Sequence, residues 1–261
     1  MMMEEQDLLR FDKTVQQWLV DIRQTLEKNL LANLLISEKK GRRDLVTNVD
    51  KNVEKILTEK IHILDPKAQI LGEEGFGDAV RTMRDHVWFI DPIDGTMNFI
   101  KQRDDFAIML ALYIEGQGTL AWIMDVDKGI IYHGGPKIGI FANQQKLKTP
   151  QNIRLEDGLI EVSGGRLLNQ QLKLVEIGRK SLGIRIIGSA GMSFIKVIEG
   201  KAVGYVSKMQ PWDFAAAKVL LESLKMPFTT IDGTEIDMLS SNTVLTATPC
   251  AHQEIVHLEL T

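Results

Sequence analysis

Cysteine is nearly absent. Cys250 is the only one in 261 residues, which excludes an intramolecular disulfide and any cysteine-rich zinc site. Histidine is sparse as well. His62, His86, His133, His252 and His257 are scattered, with no metal-ligand spacing, so they read as surface or core residues. There is no excess of positive charge: the formal net charge is −4, and no basic field advertises nucleic acid or an anionic membrane surface. No apolar run is long enough to cross a bilayer. The start, Met1-Met2-Met3-Glu4-Glu5, is polar and acidic, unlike a signal peptide, and a cytoplasmic protein is expected. Gly-x-x-x-x-Gly-Lys-Ser/Thr and Gly-x-Ser-x-Gly are both missing, which argues against P-loop and nucleophile-elbow chemistry. Internal repeats and low-complexity tracts are absent too.

What remains is an ordinary globular composition, 44% hydrophobic and 25% charged, long enough to bury a sizeable core. From Asp7 to about Ile36, Leu8, Phe11, Val15, Trp18, Leu19, Ile22 and Leu26 recur at helical spacing. Lys39-Lys40-Gly41-Arg42-Arg43 then reads as a basic loop, either a solvated turn or a lip over an anionic substrate. Thr47 predicts an N-cap for a helix carrying Val53, Ile56, Leu57 and Ile61. Asp50 falls in its first turn, where negative charge is favourable.

Chemistry in this chain is written in carboxylates. Val87-Trp88-Phe89-Ile90, of strand type, runs into Asp91-Pro92-Ile93-Asp94-Gly95-Thr96. Two acids this close repel unless a cation joins them, and an oxygen-rich loop suits a hard cation such as Mg²⁺. Gly95 permits close approach of a ligand, and the amides of Gly95 and Thr96 would face an anion if a helix starts there. The plain alternative is an Asp-Pro turn with an N-cap. Ala68–Leu71 predicts another strand, ending at Gly72-Glu73-Glu74-Gly75. If the two strands are parallel neighbours, their four carboxylates meet at one rim.

Downstream, Phe106–Ile114, Gly118–Asp125, Gly129–His133 and Ile138–Ala142 predict antiparallel hairpins. Lys146–Gln151 is a candidate boundary between an N-terminal half (1–146) carrying the acidic loops and a C-terminal half (147–261) completing the site. The second half reads as doubly wound. Strands are expected at Leu159–Ser163, Ile184–Ile187, Val203–Val206 and Val244–Thr248. Helices are expected at Asn169–Ser181, Met192–Glu199 and Phe214–Leu224, with Glu254–Leu260 a short closing segment. Pro211-Trp212-Asp213 opens the third helix, and Asp213 is placed to cap it.

Gly72-Glu73-Glu74, the run Trp88–Phe99 and Pro211-Trp212-Asp213 together resemble the signatures of the inositol monophosphatase family, over nearly the whole chain. That family belongs to a superfamily of lithium-sensitive, Mg²⁺-dependent phosphatases. The resemblance implies an α/β (α+β) fold, a layered α-β-α-β-α sandwich of the inositol monophosphatase/fructose-1,6-bisphosphatase type, and a homodimer. It implies two or three Mg²⁺ ions: the first on Glu73, Asp91 and the Ile93 carbonyl, the second on Asp91, Asp94 and Asp213, and a weaker third served by Glu74. It implies that Glu73, Asp50 and Thr96 are catalytic, with Asp50 and Thr96 orienting the attacking water. Gly95 and Thr96 would grip the phosphate; Asp94, Ser189 and Ala190 would line the substrate pocket; Lys39 would be a mobile basic residue nearby.

The implied substrate is a small phosphorylated metabolite, first inositol monophosphate, with no nucleic acid or membrane partner. One departure stands out. Relatives that use inositol phosphate carry a carboxylate shortly before the Trp-Asp pair, whereas Ala202–Pro211 holds none; Val206, Ser207 and Lys208 stand there. A shifted range is therefore expected, including NADP, fructose 1,6-bisphosphate or phosphoadenosine phosphate. The alternative of another class is a retired enzyme acting as a binding or regulatory scaffold, which need not keep the full acidic set.

Overall fold

Leu8, Phe11, Val15, Leu19, Ile22 and Leu26 are all buried along one face of the first helix, α1 (Glu5–Asn29). The structure, a computed structural model, describes residues 3–29, 34–41 and 44–261; the side chains of residues 29, 39–41 and 44 also fall outside that description. The helix is shorter than its expected end near Ile36. Ile36 instead opens β1 (Ile36–Gly41), whose backbone pairs antiparallel with β2 (Asp44–Thr47), Ile36 opposite Thr47. Lys39, Lys40 and Gly41 therefore sit in a strand and not in the expected loop, and Arg42 and Arg43 are outside the described residues.

Thr47 caps α2 (Asn48–Leu64) through a capping box closed by Asp50. Val53, Leu57 and Ile61 are buried, but Ile56 is exposed, because it lies one residue off the buried stripe. Next come β3 (Ala68–Gly72), β4 (His86–Asp94), α3 (Thr96–Lys101), β5 (Ala107–Ile114), β6 (Gln117–Asp125), β7 (Ile130–Gly135), β8 (Gly139–Ala142) and β9 (Gln145–Lys146). β3 to β9 form a seven-stranded sheet in chain order. β3 and β4 are parallel neighbours, as expected, and the remaining pairs are antiparallel hairpins.

The second half contains β10 (Leu159–Val162), α4 (Gly164–Leu168), α5 (Leu174–Lys180), β11 (Gly183–Arg185), α6 (Ala190–Ile198), β12 (Gly204–Met209), α7 (Pro211–Ser223), β13 (Phe228–Thr230), β14 (Asn242–Ala247) and α8 (Pro249–Leu260). Its strands form a sheet in the order β11-β10-β12-β14-β13. Only β11, β10 and β12 are parallel; β14 and β13 run antiparallel, so the doubly wound expectation holds for one side of the sheet alone. The expected helix Asn169–Ser181 is broken: Gln170, Leu172 and Lys173 adopt positive φ, which a right-handed helix cannot continue through.

Side-chain alternation sorts these elements into layers. Trp88, Ile90, Leu110 and Trp122 face α1 and α2. Val87, Phe89, Met109 and Ala111 face the opposite way, onto α6 and α7, which also bury Tyr205 and Phe228 of the second sheet. Val206 and Leu245 on that sheet's far face pack on α5 and α8. The result is the α-β-α-β-α sandwich. Buried indoles need partners for their N–H groups: stacked Trp88 and Trp122 donate to Asp65 and Asp12. Those carboxylates in turn hold His86 and His133, so these two histidines are structural. Among the described residues no helix is long and apolar enough to cross a membrane.

Candidate active site

Parallel pairing sets Gly72 opposite Ile90, so the chain leaves β3 at Glu73 directly beside Asp91. The Glu73 amide donates to the Ile90 carbonyl at 3.3 Å. On its other side β4 pairs with β5, but the register slips between Asp91 and Asp94. Pro92 has no N–H to give the ladder, and the extra residue bulges the strand, as bulges beside active sites do to re-aim side chains. Strict alternation would send Asp91 and Asp94 to opposite faces; the bulge lets both serve one rim. Gly95 then turns with φ 87° into α3. A Cβ there would lie 2.8 Å from the Ser189 Cβ, so glycine is needed for the approach of α6 as well as for the turn.

Four further segments converge on this point. Asp50, at the start of α2, accepts the Thr47 amide on Oδ2 at 2.9 Å and the Thr96 hydroxyl on Oδ1 at 2.9 Å. Thr96 Oγ1 is also 3.0 Å from the Ile93 carbonyl. Asp94 caps α6: it accepts the Ala190 amide at 3.0 Å, the Gly191 amide at 2.7 Å and the Ser189 hydroxyl. Asp213 is the third residue of α7 and accepts the Gln210 amide at 2.8 Å, so the helix cap is Gln210, with Asp213 closing back on it. Glu74 and Phe76 donate their amides to Glu54 of α2.

Asp91 registers the whole assembly. Burial pushes its carboxyl well above the usual aspartate range, and the charges of Glu73, Asp94, Asp213 and Asp50 push it further. Its Oδ1 is buried without a hydrogen-bond partner. Asp94 is also raised by burial, against the lowering effect of its bonds from Ser189, Gly191 and Ala190. Among the described residues no group of three or more acidic, histidine or cysteine side chains already stands in metal-holding geometry; Asp94 and Asp213 turn oxygens to helix amides. The chemistry of the set still fits a divalent cation: five carboxylates in mutual repulsion, one with an unpartnered buried oxygen, need positive charge.

The structure thus brings Asp50, Glu73, Asp91, Ile93, Asp94, Gly95, Thr96, Ser189, Ala190 and Asp213 to one rim, with Glu74 on the adjoining loop. The Lys39 side chain lies outside the described residues. Lys208 is exposed on β12, and strand alternation sets it on the face of Val206. Ser207 shares the opposite face with Tyr205, whose hydroxyl bonds Ser207 and Ser193 and feels the charges of Asp94 and Asp213. Ser207, and not Lys208, therefore takes the rim-facing place on this strand.

Sequence reading missed Glu54, although its spacing of four from Asp50 puts both on one helix face. It also missed Glu161 of β10, buried beside Ser193 of α6. Burial pushes the Glu161 carboxyl up to about 7, against the lowering effects of Lys196, Ser193 and Arg185. Because the folded value lies above the ordinary 4.5, the neutral acid is favoured: its stabilising effect is full below pH 4.5 and lost as pH rises through 7. Glu161→Gln keeps that neutral state at every pH. The variant is expected to be more stable than wild type by roughly 2–3 kcal/mol near about pH 8 and about equal near about pH 5. Melting curves at both values check this; an equal shift at both excludes it.

A rim of acids at the ends of parallel strands, with an amide-rich turn beside it and a water-orienting hydroxyl–carboxylate pair, is a phosphatase arrangement. The profile of the inositol monophosphatase family matches residues 4–259, and the chain belongs to that family, whose members are phosphatases. The inositol-1-monophosphatase of Bacillus subtilis (strain 168) is 32% identical over 250 residues, covering 94% of each chain. The Nus factor SuhB of Escherichia coli (strain K12) is 30% identical over 215 residues, 80% of each. A solved IMPase/NADP phosphatase complexed with Mg²⁺ and phosphate superposes with a TM-score of 0.89 at 29% identity, covering 96% of this chain and 95% of the other.

Proposed function

We propose that this chain is a Mg²⁺-dependent phosphomonoesterase that hydrolyses a small phosphorylated metabolite, inositol monophosphate first. The observation that carries the reading is Asp91, a buried carboxylate with an unpartnered oxygen and four other acids around it. Glu73, Asp91 and the Ile93 carbonyl would hold one ion; Asp91, Asp94 and Asp213 a second; Glu74 a weaker third. Bound Mg²⁺ supplies the charge that neutralises phosphoryl oxygens and acidifies water. First-turn amides of a helix have no intrahelical acceptor, so the backbone at Gly95 and Thr96 suits a phosphate oxygen. Thr96 donates its proton to Asp50, which leaves its own lone pairs for the attacking water; the water's proton passes to Thr96 Oγ1 and that of Thr96 towards Asp50. Glu73 completes the catalytic set. Ser189 and Ala190, tied to Asp94, would line the pocket, and Lys39 would serve as a nearby basic residue. The halves 1–146 and 147–261 contribute together, and a cytoplasmic homodimer is carried into the proposal from the family resemblance.

A broadened substrate range is the second reading, favoured by Ser207 standing where polyol-reading relatives carry a carboxylate. A hydroxyl can serve ribose as well as inositol, and the solved IMPase/NADP phosphatase supports testing NADP. A retained acidic set argues against the scaffold reading. Phosphate release should be measured with Mg²⁺, with and without Li⁺, against inositol 1-phosphate, NADP, fructose 1,6-bisphosphate and phosphoadenosine phosphate. Lithium-sensitive release, greatest for inositol 1-phosphate with NADP within about tenfold, is expected. Folded protein that releases nothing at saturating Mg²⁺ would overturn the enzyme reading, and strict preference for inositol 1-phosphate the broadened range.

A further inference from the structure

Glu54 is fully buried in α2, yet it belongs to no role considered so far. Its carboxylate grips the loop after β3 with both oxygens: Oε2 accepts the Glu74 amide at 2.7 Å and Oε1 the Phe76 amide at 2.8 Å. Gly72 makes room for it, since a Cβ there would lie 2.6 Å from the Glu54 carboxyl carbon. Beyond the grip the loop returns to β3, where Asp78 Oδ2 accepts the Ile70 amide at 2.9 Å. Charge-assisted bonds of this kind are about twice as strong as neutral ones. One turn earlier on the same helix face, Asp50 holds Thr96 in the loop after β4. A single helix therefore ties both loops: Asp50 the one that carries Asp94 and Thr96, Glu54 the one that carries Glu73 and Glu74.

We propose that Glu54 is a positioning residue for metal binding, which sets Glu73 and Glu74 against Asp91 by clamping the backbone of their loop. The inference rests on the metal-dependent reading above. A neutral amide could accept one of these bonds, and an anion adds repulsion to a rim already crowded with carboxylates. Its charge is repaid only when a cation arrives, through stronger bonds to the loop and a more negative surround for the ion. Residues that orient ligands in this way typically cost about 10–100-fold in metal affinity when changed.

The test is calorimetric titration of Mg²⁺ into wild type, Glu54→Gln and Gly72→Ala, with melting temperatures of the metal-free proteins and turnover across Mg²⁺ concentration. Glu54→Gln removes one of the two charged grips; Gly72→Ala displaces the carboxylate without changing its charge, and serves if the first variant does not fold. The expected result is a Mg²⁺ dissociation constant raised about 10–100-fold in each folded variant. Turnover should recover far more at high Mg²⁺ than at low. A merely structural role would lower the melting temperature and leave Mg²⁺ affinity within about twofold, which would overturn the inference while leaving the enzyme reading intact. A wild-type protein that binds no Mg²⁺ overturns both.

Discussion

Asp91→Asn is expected to lower turnover by about a thousandfold or more and, in the same protein, to raise the melting temperature measured without divalent cation. Both effects come from one carboxylate. Asp91 is buried, one of its oxygens has no partner, and burial and four neighbouring acids push it well above the ordinary aspartate range. A carboxyl raised in the fold stabilises fully below its unfolded value and loses that contribution as pH rises through the folded one. At neutral pH the metal-free wild type thus carries a penalty that asparagine removes, since the amide is neutral and close in shape. The gain should vanish as pH falls towards the ordinary carboxylate range, about 4, where wild type is neutral at this position too. Added Mg²⁺ should reverse the order, because a ligand that binds only the folded state stabilises it by mass action and the variant lacks the shared ligand. Melting curves with and without Mg²⁺, beside turnover, check the pair of effects. Near-normal turnover, or a metal-free variant no more stable than wild type at neutral pH, would sink the assignment.

The site was legible because its core is local. Asp91 to Thr96 is one uninterrupted run, and the bulge that aims it is marked by Pro92. The partnership with Glu73 and Glu74 is remote, but two strand signals ending in acids imply a shared rim once the strands are parallel neighbours. The layer order followed from alternating apolar patterns. Other features leave no mark at the level of residue type. The break between α4 and α5 is made by Gln170, Leu172 and Lys173 in left-handed conformations, none of them glycine. β13 and β9 are too short to show a period. The hairpin of β1 and β2 was hidden because residues up to Ile36 extended a helical count. Lys208 looked like a candidate for a second phosphate because sequence order does not reveal which face of β12 a residue takes. Glu54 escaped notice as one more acid on an amphipathic helix, and only its two amide partners, 20 and 22 residues away, distinguish it.

The Asp50–Thr96 pair separates the chemical step from metal binding. Asp50 is buried and accepts from three donors: the Thr47 amide, the Thr47 hydroxyl and the Thr96 hydroxyl. Asparagine offers one oxygen for those three and turns an N–H₂ group towards the rest. The helix cap can keep its bond, because the Thr47 amide needs only one acceptor, and Thr47 still caps Val49. Thr96 loses its acceptor. Its hydroxyl proton then points towards the water it should be receiving a proton from, so the relay runs the wrong way. Asp50→Asn is expected to lower kcat by about 10²–10⁴-fold, the usual contribution of a general base, with the Mg²⁺ dependence close to wild type. Thr96→Ala should cost a similar factor, and the double variant little more than either, since groups that act as one unit are not additive. Turnover and calorimetric Mg²⁺ affinity for the three variants supply the cycle. Multiplicative losses would mean that Asp50 and Thr96 act separately. A large loss of Mg²⁺ affinity in Asp50→Asn would place Asp50 with the metal ligands and leave the activation of water to Glu73.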